Sequence, residues 1–520
     1  MKRLLIFIIS LACLHISAVA QLSDQQQIQK LNLVYQHLRN NYVDDVPLEH
    51  LVEEAVIATL RELDPHSSYL NREQMAALNT RISGEFAGVG IQYVIHRDTL
   101  VVRGTIDNSP AERAKICVND RIISINSKPI IGIPTDSIST LLRGTPNTKV
   151  DIGVVRRGES KPLTITLKRD YIESSAISSS ARFGDIGYIA ASAFSKPLAA
   201  EFYAAYKSLG DITSLVVDLR DNSGGAITSA IDLTGLFLKK GDVIVSTEGR
   251  NNNVVYDKKR DGAVLDIPVV VLINENSASA SEIFAGAIQD HDRGIIVGHT
   301  SYGKGLIQRV IDFKDGTGMC LTVARYKTPS GRVIQRPYTM GEGERYTQDT
   351  MRYLHPDSVS RDSNLLFKTL KQGREVYGGG GITPDVYISQ KEGIITELVH
   401  IAIISGAFTH TAIDIIDTTT IRDIKQKYHS IEEFDKHYTL GDSTYVLLCK
   451  WIETTGYNIS EQQRTSDREM LTTLLKAIIG DIVYGDGAYQ YIYNLRYDTQ
   501  LIEAINIAGN TERQQAILGL

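Results

Sequence analysis

The sequence predicts a multidomain α+β chain: a helical N-terminal region, an inserted β-rich domain, an α/β core and a mainly helical C-terminal region. Three observations carry that expectation. The 520 residues correspond to three or four domains at roughly 150 residues each. Near Gly84 the hydrophobic period changes from about 3.6 to about 2 residues. Past Ser180 an apolar strand, a small-residue loop and an amphipathic helix follow one another repeatedly, the rhythm of a sheet whose strand ends feed helix starts.

Taken in order, residues 1–20 read as a cleaved leader rather than fold. Lys2 and Arg3 precede an apolar run, and Ala18-Val19-Ala20 offers a small-x-small cleavage pattern. The run is short for a membrane span and is interrupted by Ser10 and His15; an uncleaved anchor is the alternative. Residues 21–83 read as helices, with Leu31, Val34, Tyr35 and Leu38 on one face and Leu51, Ala55, Ala58 and Leu60 on another. Residues 84–170 form the β-rich unit, with strands expected at 89–94, 100–102, 121–125, 149–155 and 163–167 and helices at 110–116 and 135–142. Residues 171–389 form the α/β core, with apolar strands at 214–219, 268–273 and 294–297. Within it 341–364 is polar and reads as a long loop. Residues 390–520 read as mainly helical, for example at 471–482 and 500–507.

Composition narrows the class. Hydrophobic residues at 42% and charged residues at 22% are ordinary for a folded chain, which excludes wholesale disorder. Net charge is −6, and loss of residues 1–20 removes two basic side chains to leave −8. Neither value suits nucleic acid or an anionic membrane surface. Beyond the leader the cysteines are Cys117, Cys320 and Cys449, with no paired spacing. Buried single thiols are expected rather than a zinc site or disulfide framework.

The richest chemistry lies at residues 274–281 (NENSASAS), directly after an apolar strand. A serine there sits at a helix start, where unpaired N–H groups and the helix dipole face whatever it attacks. That suits an acyl-transfer nucleophile, whose oxyanion needs backbone donors. Ser279 with Glu282 equally fits a simple capping box. No histidine stands in a recognisable motif nearby; Lys304, between Gly303 and Gly305, offers a base if burial strips its proton. Residues 298–304 resemble part of a P-loop, but Gly305 stands where the Mg²⁺-binding hydroxyl belongs. The turn 221–225 (DNSGG) lets backbone N–H groups approach a ligand. Gly88, Val89, Gly90 and Ile91, in the turn 86–91 (FAGVGI), suit capture of a terminal carboxylate beside a strand edge, or a plain hairpin turn. The run 289–293 (QDHDR) reads as helix-end capping; no metal is expected.

Together these segments, with 63–70 (LDPHSSYL), 219–225 (LRDNSGG), 302–305 (YGKG), 324–331 and 381–385 (GITPD), resemble the C-terminal processing peptidases, or tail-specific proteases. The resemblance covers roughly residues 30–390. It implies a secreted or periplasmic serine endopeptidase with an inserted PDZ domain at 84–170 and a Ser–Lys centre. Carried over by position, it makes Ser279 the nucleophile and Lys304 the base, with Gln308 orienting the lysine and Asp290 supporting at the helix end. The N–H groups of Gly225 and Ala280 would form the oxyanion hole. The chain departs from the family pattern at Ser223, where proline is usual, and at 115–120 (KICVND). The expected partners are protein or peptide substrates bound by their C-termini; no cofactor and no nucleic acid are expected. A homo-oligomer, a lipoprotein adaptor and membrane association stay open, as does the role of 390–520. The rival expectation is a catalytically inert PDZ-containing adaptor that binds peptide termini without cutting.

Overall fold

The computed structural model describes residues 23–251, 253–258, 265–343, 346, 363–389, 395–485 and 487–520. The leader at 1–20 and most of the 341–364 loop lie outside the described residues.

The core is a six-stranded sheet in the spatial order Ile177–Phe183, Ile186–Ala191, Ser214–Asp218, Val269–Ile273, Ile295–Gly298 and Val386–Tyr387. The first two strands are antiparallel and every later pair is parallel. Ser214–Asp218 and Val269–Ile273 are buried along their whole length, because a parallel sheet must be covered on both faces. Alternate residues divide between two cores. Leu215, Val217, Val271 and Ile273 pack against the helices Leu198–Ser208, Ile227–Thr234 and Ala280–Asp290. Val216, Val270, Leu272 and Val297 pack against Leu501, Ala504 and Ile507 of the helix Thr499–Ala508. The last part of the chain therefore supplies the cover of the six-stranded sheet's second face.

A second sheet, which the sequence pattern did not show, orders Ser68–Leu70, Gly318–Lys327, Val243–Glu248 and Val254–Asp257, with Leu306–Asp312 also paired to Gly318–Lys327. Ser68 lies opposite Cys320 and Gln308 opposite Thr322. The N-terminal region is thus not purely helical; its short strand pairs with Gly318–Lys327, which is also the partner of the strand Leu306–Asp312 that follows Lys304.

The inserted domain has a five-stranded antiparallel path, Ile91–His96, Thr99–Thr105, Arg121–Ile125, Lys149–Val155 and Leu163–Lys168. Ile91–His96 is an edge strand. Most of the C-terminal helices share a core of their own built on Leu398, Phe408, Leu448, Leu471 and Leu475. They also grip the inserted domain. His96 Nδ1 lies 3.0 Å from His410 Nδ1, and His96 Nε2 lies 3.1 Å from Asp414 Oδ1. Asn119 Nδ2 donates to the carbonyls of Ile413 and Ile416, each at 2.9 Å.

The first helix forms where expected, whereas the thiols are not all buried. The helix Asp24–Asn41 buries none of its residues; Leu31 is 51% and Val34 49% exposed. On the same face Tyr35 and Leu38 are half-buried, and Tyr35 Oη donates to the Leu51 carbonyl at 3.3 Å. Of the three thiols only Cys449 is buried; Cys117 and Cys320 are partly exposed.

Candidate active site

Ser279 caps the helix Ala280–Asp290 with φ 56° and ψ −109°, a strained conformation for any residue with a side chain. The strain is held from several sides. Ser279 N–H donates to Glu282 Oε2 at 2.8 Å, and its carbonyl accepts from Tyr326 Oη at 3.2 Å. Ser277 and Ser281 are spent on structure: their hydroxyls donate to the Leu219 and Asn222 carbonyls at 2.8 and 2.7 Å. Of the three serines, Ser279 alone lines the cleft.

That cleft is a cavity of about 320 Å³, to which Ser279, Ala280, Gly225, Lys304, Gln308 and Arg81 all contribute. Burial pushes the Lys304 ammonium below the ordinary lysine range, the shift a lysine needs to act as a base. Its Nζ donates to Gln308 Oε1 at 2.7 Å. Among the described residues no hydrogen bond joins Lys304 to Ser279 Oγ; such contacts commonly close only around substrate. His291 and His299 serve elsewhere. His291 Nε2 lies 2.7 Å from the Val243 carbonyl, and His299 pairs with Glu275 at 3.1 Å.

The Gly-Gly turn is welded to the loop that carries Ser279. Asn222 Oδ1 accepts Gly224 N–H at 2.9 Å, while the Asn222 carbonyl accepts Ala278 N–H at 3.1 Å. Asp221 Oδ1 accepts from the side chains of Asn274 and Asn276 at 2.9 and 2.8 Å. Arg81 Nη2 donates to Ser223 Oγ and to the Gly224 carbonyl, so the serine in place of proline gains a partner of its own. A Cβ on Gly225 would stand 2.4 Å from the Phe194 carbonyl oxygen. Neither Gly225 N–H nor Ala280 N–H has a hydrogen-bond partner among the described residues, leaving two donors in the cavity wall beside Ser279.

Asp290 lies elsewhere. Eleven helical residues, Ala280–Asp290, span roughly 15 Å, and Asp290 sits at the far end in a buried pair with Arg332 at 2.7 Å. It also accepts Ser330 N–H at 3.0 Å. Its place is structural, and it does not border the cleft.

The residue that sequence reasoning undervalued is Glu282. Wholly buried, it accepts four hydrogen bonds: Ser279 N–H, Lys304 N–H at 2.9 Å, Gly303 N–H at 2.6 Å and Ser301 Oγ–H at 2.5 Å. Burial pushes its carboxyl above the usual range, against the pull of those donors. The Ser-x-x-Glu spacing was the available signal, but it disclosed only a cap.

In the inserted domain Gly88 ends the strand Glu85–Gly88, Val89 is buried, and Ile91 opens the edge strand. Gly90 has φ 78°, and a Cβ there would stand 2.2 Å from Ser109 Cβ; only glycine fits. The Arg143 guanidinium lies 5.4 Å from the Phe86 ring centroid beside this turn.

Residues 185–349 match the model of peptidase family S41, and residues 101–156 match the PDZ domain. The chain is 37% identical over 318 residues to a carboxy-terminal-processing protease of Bartonella bacilliformis, covering 60% of this chain and 73% of that protein. It is 31% identical over 370 residues to a probable CtpA-like serine protease of Staphylococcus aureus, covering 68% and 73%. Among solved structures it is similar to the photosystem II D1 C-terminal processing protease, at 24% identity and a TM-score of 0.34, covering 72% of this chain and 95% of that one.

Proposed function

The chain belongs to the carboxy-terminal-processing serine proteases of peptidase family S41 and carries a PDZ domain, and from that premise we propose that it cleaves proteins near their C-termini through Ser279 and Lys304. Ser279 Oγ attacks the scissile carbonyl carbon while the neutral Lys304 amine takes its proton. The resulting oxyanion is held by Gly225 N–H and Ala280 N–H. Collapse of the tetrahedral intermediate breaks the C–N bond, and Lys304 returns the proton to the departing amine. Water, deprotonated by Lys304, then attacks the acyl carbon; the C–Oγ bond breaks, Lys304 gives that proton to Ser279 Oγ, and the new C-terminal carboxyl group leaves. Gln308 holds the amine in place throughout. No step calls for a metal or cofactor.

The observation that carries this reading is the cavity where a strained serine, a half-buried lysine with a lowered pKa and two unpaired N–H groups meet. In the same reading the turn 88–91 takes the substrate's terminal carboxylate, and the edge strand Ile91–His96 pairs with the peptide. The protein works in the periplasm after loss of residues 1–20.

Incubation with a denatured protein and mass spectrometry of the fragments tests it. Wild type is expected to cut near C-termini, and Ser279→Ala and Lys304→Ala are expected to be inert. Wild-type turnover by Ser279→Ala overturns the reading, and peptides bound but never cut by wild type support the inert adaptor instead.

A further inference from the structure

The Gln308 side chain faces two ways. Its Oε1 accepts from Lys304 Nζ at 2.7 Å, and its Nε2 donates to the His66 carbonyl at 2.5 Å. A carboxamide has one accepting end and one donating end. With a carbonyl fixed on one side, only one orientation is free of a clash between like partners, and it turns the oxygen toward the lysine. The His66 carbonyl thus decides which end of Gln308 meets Lys304.

That carbonyl belongs to the turn 64–67, remote in sequence from the cleft. Asp64, 7% exposed, organises it. Asp64 Oδ1 accepts the N–H groups of His66 and Ser67, each at 2.9 Å, and Oδ2 accepts Ser67 Oγ–H at 2.6 Å. Thr322, which lies opposite Gln308 in the sheet, donates its hydroxyl to Asp64 at 3.1 Å and its N–H to Ser67 Oγ at 3.1 Å. The strand carrying Gln308 and the turn that orients it are therefore referenced to the same neighbour. Burial pushes the Asp64 carboxyl upward, but its hydrogen bonds outweigh that and hold it below the usual range, as an anion at neutral pH.

We infer that Asp64 is a positioning residue for the general base: it fixes the His66 carbonyl, the carbonyl fixes the Gln308 amide, and the amide aims the Lys304 amine. The inference rests on the Ser279–Lys304 reading above. The helical N-terminal region then completes the catalytic centre as well as packing against it.

A double-mutant cycle on the full chain tests this, with kcat and KM measured for Asp64→Ala, Gln308→Ala and the double variant, and Ser279→Ala run beside them. General-base catalysis is commonly worth about 10²–10⁴-fold, so each single variant is expected to lose about 10–100-fold in kcat with KM within about twofold. Because Asp64 acts through Gln308, the double variant is expected to match Gln308→Ala alone. Asp64→Asn, which keeps the accepting Oδ1, is expected to recover most of the loss. A double variant that loses the product of the two single factors overturns the inference, as does wild-type kcat in Asp64→Ala. If Asp64→Ala loses its native circular dichroism spectrum, the same cycle is run with Ser67→Ala. Activity retained by Ser279→Ala would instead bring down the Ser–Lys reading, so the two failures are distinguishable.

Discussion

Glu282 holds Lys304 by its backbone: Oε2 accepts Lys304 N–H at 2.9 Å while the same oxygen accepts Ser279 N–H at 2.8 Å. One carboxylate thereby references Ser279 and Lys304, the proposed nucleophile and base, to a single point. Its other oxygen takes Gly303 N–H and Ser301 Oγ–H. The lysine loop can shift relative to the serine only by breaking a fully buried set of charge-assisted hydrogen bonds.

Glu282→Gln keeps the shape and removes half of this capacity, since an amide offers one accepting oxygen and turns an NH₂ toward two donors. Leaving those donors unpaired costs about 1–3 kcal/mol each. The expected outcome is a kcat loss of about 100-fold with a lowered urea midpoint. Wild-type values of both would show that the carboxylate does not organise the site.

Lys304→Arg keeps the positive charge but cannot give up its proton near neutral pH; activity is expected to fall to the level of Lys304→Ala. In wild type, burial disfavours the ammonium and lowers its pKa from 10.5. The neutral amine gains population as pH rises through that lowered value, so the acid limb of kcat/KM is expected below 10.5. A limb at or above the ordinary value contradicts the role.

Gly225→Ala places a Cβ 2.4 Å from the Phe194 carbonyl oxygen, so the turn must move and carry its N–H away from the oxyanion. Loss of one such donor costs about 10²–10³-fold in kcat, and a loss of that order is expected with peptide binding kept. A variant as active as wild type would place the oxyanion elsewhere.

The single tryptophan of the chain reports on the grip between the PDZ domain and the C-terminal helices. Trp451 stacks on His410 at 4.6 Å and donates Nε1–H to Asp414 at 2.9 Å. Burial lowers the pKa of both His96 and His410 from 6.5, against the pull of Asp414 and with the help of Arg97; Arg121 adds to the depression at His96. Both rings are neutral in the folded contact. Their contribution is full above 6.5 and is lost as pH falls through the lowered values. Trp451 emission is expected to change on acidification with a midpoint below 6.5, and His410→Gln is expected to reduce the change, leaving the part due to His96. A midpoint at or above that value, or an unchanged titration in the variant, refutes it.

Leu501, fully buried under the catalytic sheet, tests the cover supplied by the chain's last helices. Leu501→Ala is expected to destabilise by about 2–5 kcal/mol in denaturant unfolding, although it lies on the sheet face away from the cleft. A change below 0.5 kcal/mol, about the size of a surface substitution, would mean the sheet does not depend on it.

Where a signal is local, sequence and structure agree. The strands Arg121–Ile125 and Lys149–Val155 and the helix Thr135–Leu142 fall where the period and the caps put them. The serine segment and the lysine loop were also legible, as small-residue runs at element boundaries. The second sheet was not, because Leu306–Asp312 and Gly318–Lys327 are mostly half-buried and carry no clean alternation. Asp290 was expected in support at the helix end; it is there, paired with Arg332, and does not border the cleft. Asp64 and Glu282 sat inside recognised motifs without a visible task, because their partners lie across strand pairings and loop contacts that no local pattern encodes.

The sequence by itself determined the family, the order of the domains and the two side chains on which the proposed chemistry rests, since each is written in contiguous residues of fixed type. Only the tertiary structure decided what holds those side chains to their task. The orientation of Gln308 depends on a carbonyl 242 residues away in sequence, and the buried face of the catalytic sheet depends on a helix near the chain's end. Both follow from packing, which brings distant segments within hydrogen-bond and van der Waals reach and leaves no trace in the spacing of residues along the chain.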